Sequence, residues 1–268
     1  IIGDFSATNS TLNKFLRINP YLKQIDEHST IKYPTTIHGS LNFKSLTCGE
    51  IELNGVEVNN YLDFSNAKLS GKLELKRTKE FELKIGGYAV FLNLQAQYID
   101  VGGITVKGEF SLNNATVEEY IQFASFDAEN EIHPTKIGYW QSNDPNDEES
   151  KLSLSLYGAT VKHGFLAFMG VDIAGDLLLN FAKVGTGIFF RSTIDYPCIN
   201  QIGGSLVLDN IEAPKLLTLE GLKIEGDFKG ISMTVGSFRI LPTIIKNSVL
   251  NTFHIQCSEI KGFIDLPQ

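Results

Sequence analysis

Apolar residues in this chain come in pairs two positions apart, and the pairs recur at alternating steps of five and six. Taking the second member of each pair gives Phe168, Ile173, Leu179, Val184 and Phe190 in one stretch. The same rhythm gives Leu53, Val58, Phe64, Leu69 and Leu75 in another, and Leu208, Ala213, Leu219 and Ile224 in a third. In an extended backbone, residues two apart point to the same side, so each pair predicts a short strand with two inward side chains. A polar corner follows each pair. Four such faces add up to about 22 residues, enough to close one coil whose strands stack in parallel on those of the next.

Glycine follows the same rhythm. It stands two residues before an apolar pair at Gly39, Gly71, Gly108, Gly164, Gly175, Gly204, Gly226 and Gly262, where a recurring tight corner uses its freedom from a Cβ clash. Small first members of pairs, Ala67, Ala115, Ala159 and Ala182, suit a narrow interior. Helices are excluded, since positions i and i+2 lie on opposite sides of a helix and this glycine frequency would cost about 1 kcal/mol at each interior site. An antiparallel sandwich would show longer strands and less regular spacing. The expected fold is all-β, a single right-handed parallel β-helix.

Units such as Asn66-Ala67-Lys68-Leu69, Asn114-Ala115-Thr116-Val117 and Phe181-Ala182-Lys183-Val184 resemble the pentapeptide-repeat family and its looser relatives. The resemblance covers residues 37–126 and 152–268 and implies a right-handed quadrilateral β-helix. That family steps by fives with Ala, Asp or Asn, and Leu in fixed order, whereas a sixth residue enters alternate faces here.

Two segments break the rhythm. Over residues 1–36, Ser10 or Thr11 can cap a helix, and Leu12, Phe15, Leu16, Tyr21, Leu22 and Ile25 form an apolar stripe, interrupted at Pro20. A short N-terminal helical cap over the open end of the solenoid is expected there. The β-helix then occupies 37–268, with an inserted loop at 127–151. That loop is long for a connection. It reads as an Ω-loop packing its aromatics on the solenoid wall; its candidate partner-binding residues are Tyr139, Trp140, Asp144, Asp147, Glu148 and Glu149. The C-terminal stretch from Ile260 to Leu266 is still in repeat, so either the natural chain continues there or that end pairs with another copy as a homodimer through the C-terminal coil.

Composition and charge narrow the function classes. The chain is 43% hydrophobic and 20% charged, which suits a folded core. A net charge of -8 disfavours nucleic acid and anionic membrane as partners. No apolar run approaches the roughly 20 residues that span a bilayer. The chain starts at Ile1 without an initiating Met, as a processed or excised product would, and a cytoplasmic location is expected. Cys48, Cys198 and Cys257 are far apart and form no CxxC pair, so reduced thiols are expected.

Catalysis finds little footing. His28, His38, His133, His163 and His254 are scattered singly, and there is no HExxH, GxSxG or P-loop motif. No catalytic residue, metal site or cofactor is assigned. Asp63, Asp176, Asp209 and Asp227 fall at outward or corner positions, where a carbohydrate-active β-helix would carry its carboxylates; solvated faces are the plainer reading. The six-residue, three-faced period of left-handed acyltransferase helices does not match. The expectation is therefore a non-enzymatic scaffold or interaction protein with a protein partner. The alternatives are an acidic solenoid mimicking DNA, which the family resemblance would permit, and, further off, a carbohydrate-active enzyme.

Overall fold

The computed structural model describes residues 2–24, 30–128, 131–139, 153–191, 200–241, 253–256, 258–262 and 264–265. They form a parallel β-solenoid of about eight turns. One sheet has ten strands, a second has fourteen, and a third has eight, from Thr35–Ile37 to Leu222–Ile224. The strands of the fourteen-stranded sheet, such as Thr47–Asn54, span two inward segments separated by a bend at Gly49-Glu50, so each full turn presents four walls.

Register between turns follows the sequence rhythm. On the first wall Leu41 pairs with Leu62, Leu62 with Ala89 and Ala89 with Phe110. On the second, Cys48 pairs with Leu69 and Val117 with Val161. On the third, Leu53 pairs with Leu75, Leu75 with Val101 and Phe123 with Phe168. On the fourth, Ile37 pairs with Val58, Val58 with Ile85 and Ile85 with Val106. The second members singled out from the sequence are all buried; Phe168, Leu179 and Phe190 are at most 1% exposed. Identical positions stack along the axis, as in the ring ladders Phe43–Phe64–Phe91 and Phe123–Phe168–Phe190, with centroids 4.7 to 5.6 Å apart.

The corner between the first and second walls has one residue per turn in the left-handed region. In successive turns it is Asn9, Ser45, Asn66, Asn93, Asn114, Gly158, Phe181, Asn210 and Ser232, with φ between 53° and 66°. Asn, Ser and Gly tolerate this conformation, so the asparagines of the repeat are a corner requirement. Phe181 (φ 61°) is the exception, a half-exposed ring leaning on Tyr157.

The described residues of the N-terminal segment form no helix. Thr11–Ile18 is a strand that pairs in parallel with Thr47–Asn54, and Phe5–Ser6 pairs with Leu41–Asn42, so this region forms the first turn of the solenoid. The open edge of the next turn offers a full row of backbone partners, which outweighs a local helical stripe. A register shift between Leu12 and Phe15 explains how a spacing resembling a helix fits a strand. The turn continues through an antiparallel hairpin, Tyr21–Gln24 with Thr30–Tyr33.

The described residues of the interval 127–151 include strands. Phe126–Ala128 pairs antiparallel with Glu131–His133 as a hairpin, and Thr135–Ile137 then returns to the fourth wall, paired with Thr105-Val106 on one side and Val171–Ile173 on the other. Two buried polar residues mark places where the chain re-enters the stack. Thr135 accepts a hydrogen bond from the Gly103 amide and donates one to the Ala124 carbonyl. Asn200 accepts from the Val171 amide and donates to the carbonyls of Phe168 and Arg191. Both occupy an inward column otherwise held by residues such as Val56, Leu83 and Ile104; Thr135 adds to the Gly103–Ala124 backbone bond, and Asn200 gives the Val171 amide and the Arg191 carbonyl a partner. Among the described residues, no helix is long and apolar enough to cross a membrane.

Candidate functional site

Outward residues of the third wall make two ladders. Toward the N-terminal end the ladder is ionic. Arg17 pairs with Glu52, whose other oxygen lies 2.6 Å from Lys72, and Lys76 lies 3.4 Å from Glu74 and 2.6 Å from Asp100. The hydrogen bond from Arg17 holds the Glu52 carboxyl below its ordinary range despite partial burial, and Lys72 reinforces the effect. Beyond Arg17 the column holds Glu52, Glu74 and Asp100 in successive turns, bridged by Lys72 and Lys76 from its two sides.

Farther along, the ladder is aromatic. Tyr98, Tyr120 and Phe165 precede the inward residues Ile99, Ile121 and Leu166 in consecutive turns, so the parallel register brings their rings together. The Tyr98 and Tyr120 centroids are 5.0 Å apart and those of Tyr120 and Phe165 are 5.4 Å apart, both stacked. Phe189 closes the row edge-on at 6.1 Å, with the Arg191 guanidinium 4.7 Å over its ring. Burial raises the Tyr120 hydroxyl above its ordinary pKa, with Asp100 adding to the shift. The rings spend their faces on one another and turn their edges outward. The sequence carried this signal in one respect, an aromatic immediately before the first inward residue of the third wall in three successive turns.

Beside this stripe, along the second wall and the bend into the third, runs a groove. Three adjoining depressions of about 520, 390 and 340 Å³ share Ser70, and the first two also share Leu69 and Gln95. Cys48, Leu69 and Ala96 line the groove with their backbone, their side chains being buried in the core, and its rims carry hydroxyls, amides and charged groups of both signs. Gly49 shapes the bend, because a Cβ there would lie 1.9 Å from the Lys14 carbonyl oxygen. Burial also raises the Cys48 thiol above its ordinary pKa, so it is a structural side chain.

Of the residues singled out in the long interval, Tyr139 is described. It lies on the fourth wall, half-exposed, its hydroxyl donating to the Asp172 carboxylate, and burial together with that bond pushes its pKa well up. Trp140, Asp144, Asp147, Glu148 and Glu149 lie outside the described residues. Tyr139 is thus fastened to the wall by its hydroxyl, although its ring stays 41% exposed.

The corner carboxylates are engaged in holding backbone. Asp63 accepts from the Ser65 amide and pairs with Lys44, Asp176 accepts from the Ser205 amide, and Asp209 accepts from the Ile231 amide. Asp176 and Asp227 stand in one column with Ser205 between them, and Asp227 is 3.5 Å from Lys229. The described histidines sit apart, His38 beside Asn59, His133 near Glu131 and His163 near Glu118. Among the described residues, no group of three or more His, Cys, Asp or Glu side chains is placed to hold a metal ion. No family model, curated protein or solved structure gives a significant match to this chain.

Proposed function

We propose that this chain is a non-enzymatic interaction scaffold that presents its third wall to a protein partner. The observation that carries this reading is the stripe Tyr98, Tyr120, Phe165, Phe189 and Arg191, a row of aromatic side chains with a terminal arginine, prearranged by backbone register on a rigid sheet. Aromatics and arginine dominate binding energy at protein interfaces, and side chains already ordered lose little entropy on docking. The involvement of the corner carboxylates in backbone hydrogen bonds argues against catalysis.

The interleaved charges count against mimicry of duplex DNA, which needs a continuous acidic stripe. On the fourth wall the outward residues Glu57, Lys84, Thr105, Lys136 and Asp172 mix both signs, and on the third wall Lys72 and Lys76 bridge the carboxylate column. We also read the scaffold as a divergent right-handed relative of the pentapeptide-repeat helices. Supporting this are the inward pairs on four walls and the left-handed asparagine at one corner.

Affinity capture with the full chain tests the functional reading, comparing the native protein, the double variant Tyr120→Lys/Phe165→Lys, and a deletion of residues 141–150. The double variant is expected to lose the specifically captured protein while keeping the native circular dichroism and melting profile, and the deletion is expected to retain it. Undiminished capture by a folded double variant, or loss through the deletion alone, overturns the assignment to the third wall.

A further inference from the structure

We infer that the partner of the third wall is a second copy of this chain, laid face to face and antiparallel about a two-fold axis that runs along the strands. This rests on the third-wall reading above and names its partner.

Charge order selects the second copy. The middle outward column of the third wall has ten rungs, one in each successive turn. Its first four carry Arg17, Glu52, Glu74 and Asp100. Gln122, Ala167 and Phe189 follow on rungs five to seven, and Thr218, Arg239 and Asp265 close the row. Reversing a copy so that all ten rungs overlap sets the first against the tenth and the second against the ninth. Arg17 then faces Asp265 of the copy, and Glu52 faces its Arg239. In the next column toward the fourth wall, Lys76 on the third rung faces Glu220 on the eighth. Among the described residues, Glu220 has no ion-pair partner in its own chain. Glu74 meets Thr218, Asp100 meets Phe189 with Arg191 beside it, and Lys72 meets Leu216, so no rung faces a like charge.

Other placements of the copy fail on the same count. A slip of one rung sets Arg17 against Arg239 in one direction and Glu52 against Asp265 in the other. A two-fold axis along the solenoid sets every rung on itself, so Glu52, Glu74 and Asp100 each face their own carboxylate. The antiparallel overlap also makes the centre apolar. On rungs five and six Tyr120 faces Phe165 of the copy, Ala124 faces Met169 and Gln122 faces Ala167. Uncharged side chains thus surround the axis and the ion pairs lie outside them, as in a protein interface with an apolar centre and a polar rim.

Shape agrees with charge. The second, fourth, sixth and eighth rungs pass into the fourth wall directly through the left-handed glycines Gly55, Gly103, Gly170 and Gly221. After the first, third and fifth rungs the chain instead leaves the wall, through the hairpin Tyr21–Tyr33, the segment 77–83 and the hairpin Phe126–His133. Reversal of ten rungs exchanges odd with even. The segment 77–83 then faces Gly221 of the copy and the second hairpin faces its Gly170, so the projections interleave instead of colliding. The stacked Tyr98, Tyr120 and Phe165 ring planes differ by only 18° and 9°, so the wall twists little and the rungs of two copies stay in step. Nine rung steps and three outward columns give a face of about 43 by 15 Å, or roughly 650 Å² per copy. Side-chain relief brings this toward the ~800 Å² per partner of a stable interface.

Sedimentation equilibrium of the full chain over a concentration series tests this, and a monomer–dimer equilibrium is expected. Tyr120→Lys/Phe165→Lys should weaken the dimer by about a hundredfold, and Leu178→Lys on the first wall should leave it unchanged. Glu220→Lys and Lys76→Glu should each weaken it about tenfold, and the double exchange should restore it to within about threefold. Positions 76 and 220 are five rungs apart, ~24 Å within one chain, so recovery can arise only between copies. Circular dichroism of each variant establishes that it is folded; if Lys76→Glu is not, the exchange Arg17→Glu/Asp265→Arg decides in the same way. Three results overturn the inference: a monomer at every concentration, a dimer untouched by the folded Tyr120→Lys/Phe165→Lys variant, or a double exchange no better than its single members. A monomer that captures a different protein through the third wall overturns the second copy alone and leaves the docking reading intact.

Discussion

Replacing Asn200 by Leu separates packing from backbone satisfaction at a place where this solenoid closes after an interruption. The side chain is 1% exposed in an inward column where other turns carry Val56, Leu83, Ile104 or Val171, so a leucine matches the company of its neighbours. What it removes is the acceptor for the Val171 amide at 3.1 Å and the donor to the Phe168 and Arg191 carbonyls, both at 3.2 Å. The Val171 and Phe168 bonds are buried and the Arg191 bond is partly so. The Phe168 carbonyl keeps the Arg191 amide at 3.0 Å, so the groups that lose their partner are the buried Val171 amide and the partly buried Arg191 carbonyl; this costs about 2–4 kcal/mol, the added apolar burial returns about 1–2 kcal/mol, and a net loss of about 2 kcal/mol is expected. Solenoid turns open locally as well as globally, so the sharper assay is amide hydrogen exchange. The Val171 amide should exchange about thirtyfold faster in N200L, while Ile99 on an uninterrupted turn changes far less. Asn200→Asp keeps the acceptor but buries a charge and loses both donated bonds, so it should be at least as damaging. A leucine variant that matches the native protein in denaturant midpoint and in Val171 protection would refute the reasoning.

Two further perturbations follow from the same geometry. At Phe181, φ of 61° penalises an ordinary side chain by about 1–2 kcal/mol; Phe181→Asn should therefore melt above Phe181→Ala, by about 1 kcal/mol in denaturant titration, and equal stability of the two would contradict the corner assignment. Glu109 is half-buried with its carboxyl raised above the ordinary 4.5 by burial. A raised folded pKa gives stability that is present below the unfolded value and is lost as pH rises through the folded one. Glu109→Gln should thus be more stable than the native protein at pH 7 and nearly equal to it at pH 4. The same advantage at both pH values in thermal melts would show that ionisation is not involved.

Much of the scaffold was legible because each inward pair is a local pattern repeated under one constraint. Leu53, Val58, Phe64, Leu69 and Leu75 announce four walls and a step, and all five are buried in consecutive strands. The N-terminal turn misleads because Leu12 and Leu16 are four apart; only the shifted register with Cys48 and Ile51 turns both toward the core. Asn200 and Thr135 read as loop residues, since the lengths of the preceding interruptions hide the column they enter. The aromatic stripe and the groove were missed for a deeper reason. Tyr98, Tyr120 and Phe165 look like unrelated outward positions until the register of turns separated by the hairpin is known. Ser70, Gln95 and Thr116 are ordinary polar residues that line one groove only because they stand in adjacent turns.

Where the interruptions fall connects the scaffold to its candidate surfaces. The hairpin at Tyr21–Tyr33, the segment between Lys76 and Leu83, the hairpin at Phe126–His133 and the interval between Phe190 and Asn200 all leave the chain between the third and fourth walls. The longer interval after Ile137 lies between the fourth and first walls. Every one flanks the fourth wall, and the Lys32–Glu80 ion pair joins two neighbouring excursions along that edge. The bends from first to second and from second to third wall keep their turn-to-turn register with only single-residue bulges, at Leu12/Phe15, Ala96/Tyr98 and Ala213/Leu216. An insertion at either of those bends would break the groove and displace the rings that stack through register, whereas an insertion beside the fourth wall disturbs neither. The side that carries the groove and the aromatic stripe is therefore the side on which the turn-to-turn register of outward side chains is kept.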